Sequence, residues 1–168
     1  MTQIEVLCAT AVLMVAALAF SRAMVASMHL ADSTRQQALA SEAARRVLEE
    51  MQDATFADLI KLYNASTADD QVGVTSPGAT FVVEGLTPAA DDADGIVGAV
   101  EFPTTAGVLH ENADRPDFGL PRDLDGSGAV DAADHTTDYA LLPVRIVVRW
   151  RSNNGPMQVE LKSLLAAR

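Results

Sequence analysis

The residues best equipped for chemistry are the oxygen donors crowded into Asp123-Leu124-Asp125-Gly126-Ser127-Gly128-Ala129-Val130-Asp131-Ala132-Ala133-Asp134. Its carboxylates and hydroxyl alternate with other residues, and Gly126 and Gly128 let the chain turn sharply between them. Carboxylates converging on one centre repel each other, which favours a hard dication among them. Without such an ion, the stretch is an acidic surface turn that binds nothing specific. A second conspicuous carboxylate is Glu5, at the edge of an apolar run, where an unpaired charge costs a few kcal/mol. The nearest positive group is the α-amine of Met1, of this chain or of a neighbouring copy packed with a small offset. Thr2-Gln3-Ile4-Glu5 also fits a capping box, a purely local role compatible with the first.

The 123–134 stretch resembles the calcium loop of EF-hands and especially of dockerin-type repeats. The resemblance implies Ca²⁺ held by Asp123, Asp125, Ser127, the Ala129 carbonyl, Asp131 and Asp134, with Gly128 at the sharp turn and Val130 anchoring the loop on the core. Ser127 replaces a stronger carboxylate, Asp134 is shorter than the usual Glu, and His135 follows where a dockerin has an apolar residue. With one loop and no second to pair with, a structural clip is expected rather than a sensor.

The elements that must carry these residues begin with the N-terminal stretch. From Val6 to Phe20 the only polar side chain is that of Thr10. About fifteen apolar residues span roughly 23 Å, and continuing through Arg22, whose side chain can snorkel, to Leu30 makes a bilayer span feasible. Met1, Thr2, Glu5 and the hydrophobic helix behind them resemble a mature type IV pilin or pseudopilin. That resemblance implies cleavage by a prepilin peptidase, so the chain is read as the processed form. It also implies residence in the inner membrane, then assembly by pilus or secretion machinery into an extracellular filament or a periplasmic pseudopilus. In it Glu5 pairs with the Met1 amine of another copy. Gln3, Met14 and Arg22 depart from the family pattern, the last two where many members carry the Gly and Pro linked to helix melting.

Neither Gly nor Pro occurs before Gly73, so one helix is expected to reach about Asn64, with an alternative new start at Ser33-Thr34-Arg35-Gln36. Its second half is amphipathic through Leu39, Ala43, Val47, Met51, Phe56, Leu59, Ile60 and Tyr63. Thr80 to Val83 and Ile96 to Phe102 are candidate strands, the acidic Asp91, Asp92 and Asp94 form a turn, and Thr104 to Leu120 is loop-like. Val144, Ile146, Val148 and Trp150 alternate with Arg145, Val147, Arg149 and Arg151, and Met157, Val159 and Leu161 with Gln158, Glu160 and Lys162. Two antiparallel strands joined through 152–156 follow, with the arginines facing solvent or a neighbour's acidic loops.

The fold class expected is therefore α+β: a long N-terminal helix packed on a small antiparallel sheet, pilin-like and lollipop-shaped. The divisions are 1–31 for membrane residence and polymer packing, 32–64 for the amphipathic half, and 65–168 for the head. Asp and Glu outnumber Lys and Arg 23 to 12, and a net charge of −11 argues against nucleic acid as the main partner. Cys8 is the only cysteine, so no internal disulfide forms. There is no phosphate-binding glycine loop, His-Glu-x-x-His or nucleophile elbow, and His29, His110 and His135 look isolated, which argues against an enzyme. The function implied is a structural filament subunit, copies of the chain being its main partner. The alternatives are a minor pseudopilin or tip subunit of a type II secretion system, or a membrane-anchored calcium-binding recognition module that does not polymerise. Asn64-Ala65-Ser66 is formally a glycosylation sequon.

Overall fold

The computed structural model describes residues 2–66, 76–89, 92 and 94–167. Met1 and Asp91 lie outside them, so the roles expected of Met1 in assembly and of Asp91 in the acidic turn have no structural counterpart here. The fold is α+β, as expected, and divides into two compact units, Met1–Gln37 and Ala38–Arg168.

The first unit is helical. Helix α1 spans Gln3–Asp53. Ser33 to Gln36 lie inside it rather than starting a new helix: Thr34 Oγ1 donates to the Leu30 carbonyl at 2.9 Å and Gln36 Nε2 to Asp32 Oδ2 at 3.1 Å. These polar side chains back-bond along the helix instead of capping a break. At its start, Thr2 N–H donates to Glu5 Oε2 at 3.3 Å, which is the glutamate half of a capping box.

In the second unit α1 ends at Asp53, eleven residues short of the expected Asn64. Thr55 adopts an extended ψ of 117°, and a 3-10 turn Phe56–Asp58 leads into one α-helical turn, α2, Leu59–Leu62. Nothing local forbids a straight helix here; tertiary contacts decide. Tyr139 Oη donates to the Phe56 carbonyl at 2.7 Å, their rings lie 5.0 Å apart, and Leu59, Ile60 and Tyr63 are buried. The turn returns this apolar face to the core instead of carrying it past the end of the sheet.

That sheet has four antiparallel strands in the order β1 (Thr80–Phe81), β2 (Gly98–Glu101), β5 (Leu141–Ser152), β6 (Gly155–Ala166). Strands β1 and β2 are shorter than the sequence suggests, and the β5–β6 hairpin is longer. Its register, Ser152 opposite Gly155, leaves Asn153-Asn154 as the loop, and Gly155 takes a φ of +114° that needs glycine. Val144, Ile146, Val148 and Trp150 are all buried, together with Ala40, Ala44, Val47 and Met51 of α1. The fully buried helix positions are thus Ala40, Ala44 and Met51, with Leu39 and Ala43 only half-buried. Small side chains let the helix backbone approach the sheet.

Two more expectations are corrected. Thr104 to Leu120 is not all loop: β3 (Thr104–Thr105) and β4 (Val108–Leu109) form a hairpin over Ala106 and Gly107, at φ 52° and 85°, and Pro116–Phe118 makes a 3-10 turn. Arg145 does not wait for a neighbour. It pairs with Glu101, with Asp117 at 3.1 Å and with Glu160 at 3.7 Å, and its guanidinium lies 4.8 Å from the centre of the Phe118 ring.

Gly98 lies against Phe81: a Cβ there would come within 2.6 Å of the ring. Gly98→Ala is expected to displace Phe81 and cost about 1–3 kcal/mol, as overpacking does, read as a lowered urea midpoint.

Candidate metal centre

Strand β4 sets up the site. Two residues beyond it, Glu111 lies in a segment held between the ends of the acidic loop. His135 N–H donates to the Leu109 carbonyl at 2.9 Å, Asn112 N–H to the Asp131 carbonyl at 3.1 Å, and Arg122 N–H to the Glu111 carbonyl at 3.1 Å. The Glu111 carboxylate is fully buried as a result. Its Oε1 accepts the backbone N–H groups of Leu124 and Asp125, and its Oε2 that of Asp131 at 3.3 Å. One side chain from outside the loop thereby fixes both ends of it.

His135 is the second buried polar group, 3% exposed. Its Nε2 lies 3.2 Å from Asp131 Oδ1 and 3.9 Å from Glu111 Oε2; its Nδ1 lies 3.2 Å from Asp138 Oδ1 and 3.8 Å from Asp125 Oδ2. The sequence made this histidine look isolated, whereas the fold surrounds it with four carboxylates. Ligand atoms of Glu111, Asp125 and His135 all lie within 4.8 Å of one another, so the group could hold a metal ion; it is the only such trio of His, Cys, Asp or Glu among the described residues.

Of the residues expected to bind calcium, Asp125 belongs to this trio and Asp131 touches its histidine. The others lie along the loop with their oxygens engaged by its backbone. Asp123 accepts N–H groups from Gly126 at 2.7 Å and Gly128 at 2.8 Å, Asp125 from Ser127 at 2.8 Å, and Asp131 from Ala133 at 2.6 Å. Ser127 Oγ accepts the Ala129 N–H at 3.3 Å and donates to the Ala129 carbonyl at 3.4 Å. Asp134 accepts both the N–H, at 2.9 Å, and the hydroxyl of Thr136. Val130 was expected to anchor the loop, yet it is 47% exposed. Leu124 is the anchor, fully buried, with its carbonyl accepting N–H groups from Ala140 at 2.7 Å and Leu141 at 2.8 Å. With no second loop to cover it, the 126–130 tip faces water.

Hydrogen bonds hold three loop carboxyls below their ordinary range: mainly the Ser127 N–H for Asp125, the Ala133 N–H and then His135 for Asp131, and Thr136 for Asp134. For His135, burial opposes the imidazolium, but the Asp131 hydrogen bond, the Glu111 charge and Asp138 outweigh it and raise its pKa above 6.5. The imidazolium therefore contributes stability that is fully present below 6.5 and lost as pH rises through the raised value. The carboxylates contribute stability present above about 4 and lost as pH falls through their lowered values. In chelator-treated protein the urea midpoint is expected to peak between about pH 4 and 6.5, with His135→Gln flattening the alkaline side. A midpoint that climbs from pH 6.5 to 8 would reverse this sign.

No protein-family model matches the chain, and no curated protein or solved structure is significantly similar to it.

Proposed function

We propose that the chain is a structural subunit of an extracellular type IV pilus-like filament, built by packing N-terminal helices of many copies. One observation carries this. In the first unit the apolar side chains are exposed all round the helix: the consecutive residues Leu13, Met14 and Val15, about 100° apart around the axis, are 68%, 70% and 68% exposed. Helix α1 is long and apolar enough to cross a membrane, and none of its most apolar window is buried within the chain. A helix apolar on every side needs lipid or other apolar helices around it. Membrane residence and then bundling with identical helices supply the two in turn.

Glu5, in the first turn of that helix, is the polar feature a bundle would have to accommodate. On this reading Glu5 of one copy pairs with the α-amine expected at Met1 of the next. The Thr2 N–H bond to Glu5 is the observation that favours the second reading, a membrane-anchored module in which Glu5 only caps its own helix. Electron cryo-microscopy of material sheared from cells separates them. A filament subunit gives fibres with a core of packed helices, and Glu5→Gln abolishes them while the protein persists in the membrane fraction. Fibres that form undiminished with Glu5→Gln, or a wild-type protein found only as a membrane-bound monomer, would sink the filament reading.

For the oxygen donors of Asp123 to Asp134 we propose calcium, acting as a structural clip in a setting where the ion is plentiful. Millimolar Ca²⁺ is then expected to raise the thermal midpoint of the chelator-treated chain and to slow proteolysis at the exposed 126–130 tip.

A further inference from the structure

We infer that Glu111 and His135, together with Asp125, which they share with the oxygen-only loop, form a cation site that takes a late first-row divalent ion of the zinc or cobalt type. Glu111 and an imidazole distinguish this donor set from that of the loop. Calcium is bound by oxygen alone, whereas an imidazole nitrogen beside two carboxylates suits borderline ions. Their spacing agrees. An ion about 2.1 Å from each of two ligands holds them roughly 3–4 Å apart. Glu111 Oε2 lies 3.9 Å from His135 Nε2, too far for a hydrogen bond and right for two ligands of one ion; Asp125 Oδ2 lies 3.8 Å from Nδ1, on the other edge of the ring, and joins through the 4.8 Å span that holds one ligand atom of all three residues.

Around the trio the structure supplies what such a site needs. Asp138 Oδ1 lies 3.2 Å from Nδ1, so it can accept that proton and leave Nε2 free to ligate, the orienting carboxylate of a metal-bound histidine. Asp131 Oδ1, 3.2 Å from Nε2, is placed to close the shell as a fourth donor. Glu111 is held rigidly, because its oxygens accept the N–H groups of Leu124, Asp125 and Asp131. It is also wholly buried, and among the described residues its one ion-pair partner is His135. A buried carboxylate against two further carboxylates needs a cation, and a divalent ion supplies more charge than an imidazolium.

The experiment adds Co²⁺ to the full chain, chelator-treated and in detergent, and follows the visible d–d bands, with Ca²⁺ as competitor. The result expected is an intense spectrum of low coordination number, displaced by equimolar Zn²⁺, resistant to a hundredfold excess of Ca²⁺ and lost in His135→Gln. In His110→Gln, which removes the nearby exposed imidazole, it persists. A weak octahedral spectrum erased by Ca²⁺ would mean an oxygen-only site and overturn the inference. So would an unchanged spectrum in His135→Gln. Should that variant fail to fold, the wild-type band intensity and the Ca²⁺ competition still decide. The filament reading is independent of every one of these outcomes.

Discussion

Glu111→Ala is expected to destabilise the chelator-treated head by about 3–5 kcal/mol, the range for removing one member of a buried charged network. Its carboxylate accepts three backbone N–H groups, from Leu124, Asp125 and Asp131. Each donor left without a partner in the interior costs about 1–3 kcal/mol. Two effects act in the opposite direction. Deleting the carboxylate removes a charge buried at 0% exposure and a like charge beside Asp125 and Asp131. Both are smaller, because Asp131 is exposed and His135 already lies among these carboxylates. Glu111→Gln keeps one acceptor oxygen but turns an amide NH₂ towards backbone donors, so it should fall between wild type and Ala. Urea unfolding followed by far-UV circular dichroism gives the order. If Ala lies within about 0.5 kcal/mol of wild type, water has replaced the carboxylate and Glu111 does not organise the loop.

This residue also shows where sequence reasoning stops. The β5–β6 hairpin was legible because alternation is written into neighbouring positions: Val144, Ile146, Val148 and Trp150 face the core whatever the rest of the chain does. The acidic loop was legible for the same reason, its donors and glycines lying within 123–134. Glu111 reaches its partners across 13 to 20 positions, through a β3–β4 hairpin whose strands are two residues each, and no local pattern marks it. His135 carried one weak signal, a polar residue where the resembling repeats are apolar. The helix end at Asp53 was hidden too, since Ala54-Thr55 contains no breaker and the turn depends on Tyr139, more than eighty residues away. The exposed Val130 and buried Leu124 exchanged their expected parts because anchoring depends on what packs against a loop, which spacing does not record.

The other large effect belongs to the core. Trp150→Ala is expected to cost about 3–5 kcal/mol, the range for truncating a buried Trp or Phe. Trp150 is fully buried at the far end of β5, opposite Met157, in the cluster that includes Ala40, Ala44 and Met51 of α1. Met51 and Met157 can swing part of the way into the space, but the alanines on the helix side cannot, so most of the indole's volume would be left as a cavity. The charged opposite face of the sheet cannot compensate. Arg145, with its three carboxylate partners, is only 20% exposed, but its partners are about 30% exposed, and pairs of this kind contribute about 0.2–1 kcal/mol each. Arg145→Ala should therefore lose less than Trp150→Ala, by a margin a urea titration resolves. At roughly 4 °C per kcal/mol for a unit of this size, Trp150→Ala should lower the thermal midpoint by about 12–20 °C. Because a typical domain has only about 5–15 kcal/mol in total, the variant should sit near the limit of folding at 37 °C. An Arg145→Ala loss equal to or greater than that of Trp150→Ala would mean that the ionic face, and not the helix-to-sheet core, dominates the head's stability.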